Sequence, residues 1–238
     1  VDEMRCDYIT HAGSDLLVVN AARVSFDKES EWNIIDHDYI YSNGGKTVTI
    51  NEIKQLEVAD EKLIKYLANH NHWTPFSHCT ITIRETVPIF VARQRFKHMV
   101  GFTYNEVSRR YVDDTPEFFE PTSWRVRPEN VKQGSQEGKL KYPYEQDDIF
   151  GMLDDIHFTC LRYYKEMLEA GVAPEQARMV LPQSMYTSYY VTGSLYAWAR
   201  AYKLRSDPHA QLEIQTLAKE WDTILRPLYP VSWSALVD

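Results

Sequence analysis

A chain of 238 residues suits one large domain or two small ones, and 44% hydrophobic with 25% charged residues is an ordinary globular composition. The formal net charge of −8 argues against general nucleic-acid binding, because phosphate backbones reward a broad basic surface. No stretch approaches the roughly 18–20 apolar residues of a membrane-spanning helix. Val1-Asp2-Glu3-Met4-Arg5 lacks the features of a secretion signal, and Cys6, Cys79 and Cys160 are too few and scattered for a disulfide framework. A cytoplasmic protein without membrane or nucleic-acid partners is expected.

In chain order, residues 10–24 read as a mixed segment ending in Ala21-Ala22-Arg23-Val24-Ser25-Phe26. Residues 27–52 are polar, and Asn43-Gly44-Gly45 marks a turn in a hairpin or surface insertion. Ile53, Leu56, Leu63, Ile64 and Leu67 give a helical stripe over 53–69. Thr80-Ile81-Thr82-Ile83-Arg84-Glu85-Thr86-Val87 is rich in β-branched residues and predicts a strand. Pro88 fits the first turn of a helix reaching about His98, with Ile89, Ala92 and Phe96 buried. A second strand is predicted over 105–112, then a polar excursion over 113–143. Helices follow over 144–170, 174–181 (stopped by Pro182), 192–204 and 208–225, the last capped by Asp207-Pro208. Strands early and helices late predict an α/β fold of α+β type, without clean βαβ alternation. Neither G-x-G-x-x-G nor a Walker A loop is present.

The chemistry gathers between Arg93 and Arg110, where five cations (Arg93, Arg95, Lys97, Arg109, Arg110) face one acid, Glu106. Such a window in an acidic protein focuses small anions. On the helix from Pro88, Arg93 and Lys97 stand four apart, as do Gln94 and His98, giving a cationic, hydrogen-bonding face suited to phosphate and base carbonyls. On the predicted strand, Glu106, Ser108 and Arg110 share one side and could hold a ribose hydroxyl, a phosphate and a pyrimidine edge. A solvent-exposed strand face is the plain alternative.

Ala92-Arg93-Gln94-Arg95-Phe96-Lys97-His98, followed by Asn105-Glu106-x-Ser108-x-Arg110-Tyr111, resembles the signature of flavin-dependent thymidylate synthases, Arg-His-Arg-x(7–8)-Ser. Four further segments sit in the family's order: Ala22-Arg23-Val24-Ser25, His72-Trp73-Thr74-Pro75-Phe76-Ser77-His78, Ala177-Arg178-Met179-Val180-Leu181-Pro182 and Leu204-Arg205-Ser206-Asp207-Pro208-His209-Ala210-Gln211. The signature's Arg-His-Arg reads Lys97-His98-Met99 here, which exchanges one guanidinium for an ammonium and removes the other.

The resemblance implies one domain over 1–238, built on a central, mainly antiparallel sheet flanked by helices, with a helical C-terminal half. It implies reductive methylation of dUMP to dTMP, with FAD as cofactor and methylenetetrahydrofolate and NADPH as co-substrates. Gln94, Arg95, Lys97, Glu106, Ser108, Arg109, Arg110, Arg178 and Arg205 would then bind dUMP, Arg178 coming from a neighbouring subunit of a homotetramer. Arg205 would also act catalytically, stabilising charge that develops on the uracil. Ser25, His72, Thr74, Lys97, His98, Met99, Glu106, Ser194, Arg200 and His209 would line the flavin site. No protein nucleophile is needed, and no resident metal is expected.

Other readings stay open at this point. The same apparatus could methylate or hydroxymethylate another pyrimidine nucleotide such as UMP. His70-x-His72 with His78-Cys79 offers zinc-type ligands and thus a hydrolase, although it matches neither H-E-x-x-H nor Cys-x-x-Cys. The 13% aromatic content beside the basic window admits a base-stacking module, although most of these rings fall in helical segments.

Overall fold

The computed structural model describes residues 4–42, 47–112, 114–130 and 134–238. A four-stranded sheet runs in the order β1 (Arg5–Ala12), β4 (Thr80–Pro88), β6 (Tyr186–Ser194), β5 (Phe102–Glu106). Its central pair is antiparallel. Leu195 N–H donates to the Cys79 carbonyl, Thr82 faces Thr192, Thr86 faces Ser188 and Ile89 N–H donates to the Met185 carbonyl, so numbers rise on one strand as they fall on the other. The period-2 alternation of a sheet buried on one face is clear in both strands. Ile81, Ile83, Glu85 and Val87 are buried on β4, as are Thr187, Tyr189 and Val191 on β6, while Arg84 and Ser188 stand on the opposite side.

The chain forms two compact units. Unit 1 comprises residues 1–9, 82–192 and 201–222, and contains α3 (Ile89–Arg95), β5, α4 (Gln146–Glu169) and α5 (Pro174–Ala177). It also holds most of α7 (Leu212–Leu228). Its buried residues include Ile83, Val87, Val91, Tyr189, Leu217 and Trp221. Unit 2 comprises 10–81, 193–200 and 223–238. It contains α1 (Asp15–Arg23), the hairpin of β2 (Asn33–Ser42) and β3 (Thr47–Gln55), α2 (Val58–Asn69) and α8 (Pro230–Val237). Most of α6 (Leu195–Arg205) also lies in it.

Three contacts tie unit 2 together. Asp15 accepts the Val231 and Ser232 N–H groups at 2.9 Å each, which satisfies two of the orphan donors at the start of α8. Arg23 pairs with the buried Asp60 through Nε at 3.0 Å. Gly13 sits at φ 87°, and an added Cβ there would meet Cys79 Sγ at 2.7 Å, so both backbone and space demand glycine.

The antiparallel sheet, its flanking helices and the helix-rich C-terminal half agree with the expected fold class. Several boundaries differ. The 53–69 helix begins only at Val58, because β3 continues to Gln55 and takes Ile53 with it. α3 ends at Arg95, and the chain tightens there: Lys97 N–H bonds Gln94 O and His98 N–H bonds Arg95 O, three residues back in each case. Pro88 caps that helix with extended backbone instead of entering its first turn. The strand expected over 105–112 is β5, ending at Glu106, so Ser108 and Arg110 lie on a turn. β6 takes the residues just before α6, where a helix from 192 was expected. The last long helix starts at Leu212, because Asp207 instead binds the His209 N–H and ring within a tight turn. Asn43-Gly44-Gly45 lies outside the described residues, although the flanking strands pair from Asn33↔Gln55 to Ser42↔Thr47.

Candidate active site

Unit 1 contains a polar cavity of about 710 Å³, beside the side of β4 and β6 that faces away from the buried row. Its walls carry four guanidinium groups, from Arg5, Arg84, Arg109 and Arg178, and three carboxylates, from Glu106, Asp114 and Glu117. The cations differ in their commitments. Arg109 forms an ion pair with Asp114 at 2.7 Å, and Arg5 stands 3.5 Å from the Asp7 carboxylate. Arg84 donates through Nε to Ser188 Oγ at 2.9 Å, and Arg178 through Nε to the Glu175 carbonyl at 3.2 Å. Neither has a carboxylate partner among the described residues. Two such groups in one cavity offer forked donors for a bidentate anion, beside the carboxylates of Glu106 and Glu117.

Polar groups of defined role complete the walls. Thr187 Oγ1 donates to Glu106 Oε1 at 2.6 Å, which holds the carboxylate where β5 ends. Ser108 Oγ accepts the Arg110 N–H at 3.3 Å and shapes the turn after that strand. Val107 N–H donates to the Ser188 carbonyl, so this turn is fastened to β6.

A second constellation in unit 1 gathers where α3 ends. Arg205 Nε donates to His98 Nε2 at 2.8 Å, and its Nη2 reaches the Gln94 carbonyl at 3.4 Å. The imidazole therefore carries its proton on Nδ1. Partial burial, with the nearby Arg95 charge second, lowers the pKa of Arg205. A guanidinium held near another cation and partly desolvated interacts strongly with any negative charge brought to it. The Gln94 amide hydrogen-bonds Gln211, whose own amide donates to Glu213 at 2.8 Å, and Glu213 is paired with Arg125 at 2.6 Å.

Of the residues proposed from the sequence to bind substrate, Glu106, Ser108, Arg109 and Arg178 line the cavity. Gln94 and Arg205 belong to the second constellation with His98. Arg110 is exposed, 3.6 Å from Glu175, and Lys97 is exposed after the end of α3. Arg95 is fully buried against Glu85. Among the expected flavin residues, His209 is exposed beside Asp207, and the apolar Met99 is 73% exposed. Ser25, His72, Thr74, Ser194 and Arg200 belong to unit 2. Ser25, His72 and Thr74 are exposed there, and Ser194 Oγ accepts the Ala197 N–H at the start of α6.

The sequence reading missed Arg84, Thr187 and Ser188. Arg84 was detectable, since it falls out of register with Ile81, Ile83 and Val87 on a strand that was recognised. Burial pushes the Cys79 thiol up to about 12, and burial with the Glu85 carboxylate pushes Cys6 well up, so neither is a ready thiolate. His70 Nδ1 is bonded to the Tyr66 carbonyl at 2.8 Å, and no three metal-type side chains converge among the described residues.

Fold and cavity together define an α+β enzyme class with a guanidinium-rich small-molecule site. The model of the family described as Thymidylate synthase complementing protein matches residues 7–231. Flavin-dependent thymidylate synthases of Thermosipho africanus and Thermus thermophilus are 35% and 34% identical to the chain, each over 227 residues. These alignments cover 94% and 95% of this chain, and 87% and 73% of the relatives. Among solved structures, the UMP/dUMP methylase PolB of Streptomyces cacaoi, bound with 5-Br dUMP, superposes with a TM-score of 0.76 at 26% identity, covering 99% of this chain and 95% of PolB. The chain belongs to the flavin-dependent thymidylate synthase family.

Proposed function

We propose that the chain catalyses the reductive methylation of dUMP to dTMP, with FAD as its flavin, methylenetetrahydrofolate as carbon donor and NADPH as reductant. The observation that carries this reading is the cavity of about 710 Å³ in which Arg84 and Arg178 lack a carboxylate partner among the described residues. Its volume falls in the range of small-molecule sites. In this reading the guanidinium groups take the phosphate, Ser108 and the Thr187-braced Glu106 take sugar and phosphate oxygens, and Arg109 and Arg110 add charge around them. Gln94 meets the pyrimidine edge. Arg205, positive and partly desolvated, stabilises the charge that develops on the uracil carbonyl side as C5 is activated. Arg95 and Lys97, proposed from the sequence as substrate contacts, act at longer range, one from the core and one from the surface.

Flavin, when bound, supplies the reducing equivalents of the reaction. Lys97, His98 and His209 offer donors that suit its phosphates and ring carbonyls; Ser25, His72, Thr74, Ser194 and Arg200 are proposed as flavin residues from the family resemblance alone. Glu106 serves both ligands. The Met99 side chain has no hydrogen-bond donor and no charge, and offers the cofactor packing and a weakly accepting thioether. The family model spans nearly the whole chain, which supports reading 1–238 as one functional domain. The remaining proposals are a cytoplasmic setting and a homotetramer; Arg178, expected from a neighbouring subunit, lines the cavity of its own chain and is read as serving that site. No helix among the described residues is long and apolar enough to cross a membrane.

A second reading is favoured by one observation, the likeness to a protein described as a UMP/dUMP methylase: UMP would be accepted beside dUMP. Visible spectra test the cofactor assignment. The purified protein should show flavin bands that bleach on anaerobic addition of NADPH. Protein that stays colourless after incubation with FAD would contradict it.

A further inference from the structure

We propose that Arg95 and Tyr104 are positioning residues that hold the Arg205 guanidinium in place through His98, an inference that rests on the reading of Arg205 as a catalytic residue. The starting point is an ion pair in an unusual place. Glu85 and Arg95 are both 0% exposed, and Arg95 Nε lies 3.2 Å from each Glu85 carboxylate oxygen. The Tyr189 hydroxyl donates to the same carboxylate. The Arg95 guanidinium is flanked by the rings of Phe102, at 4.4 Å, and Trp221, at 4.7 Å.

Such a pair does little for stability that an apolar pair of similar volume would not do as well, because desolvation offsets most of the attraction. Its distinctive product is direction. Arg95 Nη1 donates to the Tyr104 hydroxyl at 2.7 Å, which commits the hydroxyl's own proton elsewhere. That proton goes to the His98 carbonyl at 2.7 Å, with the Arg95 carbonyl a longer alternative at 3.3 Å. His98 follows the end of α3 and is only 8% exposed. Its ring accepts the Arg205 Nε–H. An uninterrupted series of hydrogen bonds and one residue's covalent frame thus joins the sheet's buried carboxylate to Arg205. Without the Tyr104 hydroxyl, the His98 carbonyl loses its link to the buried Arg95 guanidinium, and the ring that accepts the Arg205 Nε–H loses that support.

The test uses the full-length holoenzyme carrying Tyr104→Phe, which removes one hydroxyl and leaves the ring packed. The fold should survive with a lowered melting temperature, because the buried Arg95 Nη1 loses an acceptor, while kcat should fall between about ten- and hundredfold and KM for dUMP should move far less. Combining it with Arg205→Ala should cost no more than Arg205→Ala alone, since both act through one guanidinium. The repacked pair Glu85→Leu with Arg95→Met should fold and yet show the same loss of kcat. Wild-type kcat in Tyr104→Phe, full additivity with Arg205→Ala, or full activity in the repacked pair would each overturn the proposal. A readout independent of turnover separates this from the reaction itself. Nitrogen-15 spectra of His98 should report the Nδ1–H tautomer in the wild type and a tautomer mixture in Tyr104→Phe. An unchanged tautomer would sink the relay even if dUMP is the substrate, and the expected change would uphold it even if dUMP is not.

Discussion

Arg95 and Arg178 are the same side chain in opposite circumstances. Arg95 lies in the core, ringed by aromatic groups and matched to Glu85, and its charge is spent inside the protein. Arg178 stands exposed on the wall of a cavity with one backbone carbonyl for a partner, and Arg84 resembles it. Charge type therefore says little about use. What matters is whether a carboxylate already occupies the guanidinium, and that is decided by which face of which element the residue falls on.

The sharpest way to break the comparison is to remove one partner in the core. Arg95→Met alone should destabilise the fold by about 3–5 kcal/mol, because it strands the Glu85 carboxylate. Chemical denaturation measures the loss, and restoring Glu85→Leu beside it should recover most of it. Arg205→Ala should leave the melting temperature nearly unchanged and lower kcat by about 10²–10³-fold, as steady-state kinetics will show. Arg84→Ala and Arg178→Ala should each weaken dUMP binding by about 1.5–3 kcal/mol with the fold intact; calorimetric titration gives that value directly. If either cost stability like Arg95, the contrast between paired and unpaired guanidinium groups would fail.

The smallest expected effect at neutral pH is a pH dependence that emerges only in alkaline solution. The Cys79 pKa is pushed up from 9.0 to about 12, chiefly by burial. The folded state thus holds this proton more tightly than the unfolded chain. Stability from this group is complete below pH 9 and lost as pH rises towards 12. Cys79→Ala should flatten that alkaline decline in a series of melting curves, whatever its effect on the baseline. An unchanged slope would remove Cys79 from the account.

How far these features were legible follows the same logic. β4 was readable because Ile81, Ile83 and Val87 alternate with Thr80, Thr82 and Arg84, and α4 because a long amphipathic run carries its own period. β6 was hidden: its buried row includes Thr187 and Gly193, which carry no hydrophobic signal, and Pro182 followed by aromatic residues resembles an interrupted helix. Losing β6 meant losing Thr187 and Ser188 from the cavity. The motif segments led to Glu106, Ser108, Arg109 and Arg178, all of which the cavity brings together. Arg95 was expected to bind dUMP, because the carboxylate that occupies it lies ten residues earlier on another element. One signal was present. Glu85 occupies the buried register of β4, and a carboxylate there demands a buried donor.

The central claim is that the chain methylates C5 of dUMP, and mass analysis of the nucleotide product tests it most directly. Protein supplied with FAD, NADPH and methylenetetrahydrofolate should convert dUMP to a product heavier by one methylene unit and indistinguishable from dTMP, with Arg205→Ala forming almost none. Recovery of dUMP unchanged, or a hydroxymethyl product in its place, would contradict the account.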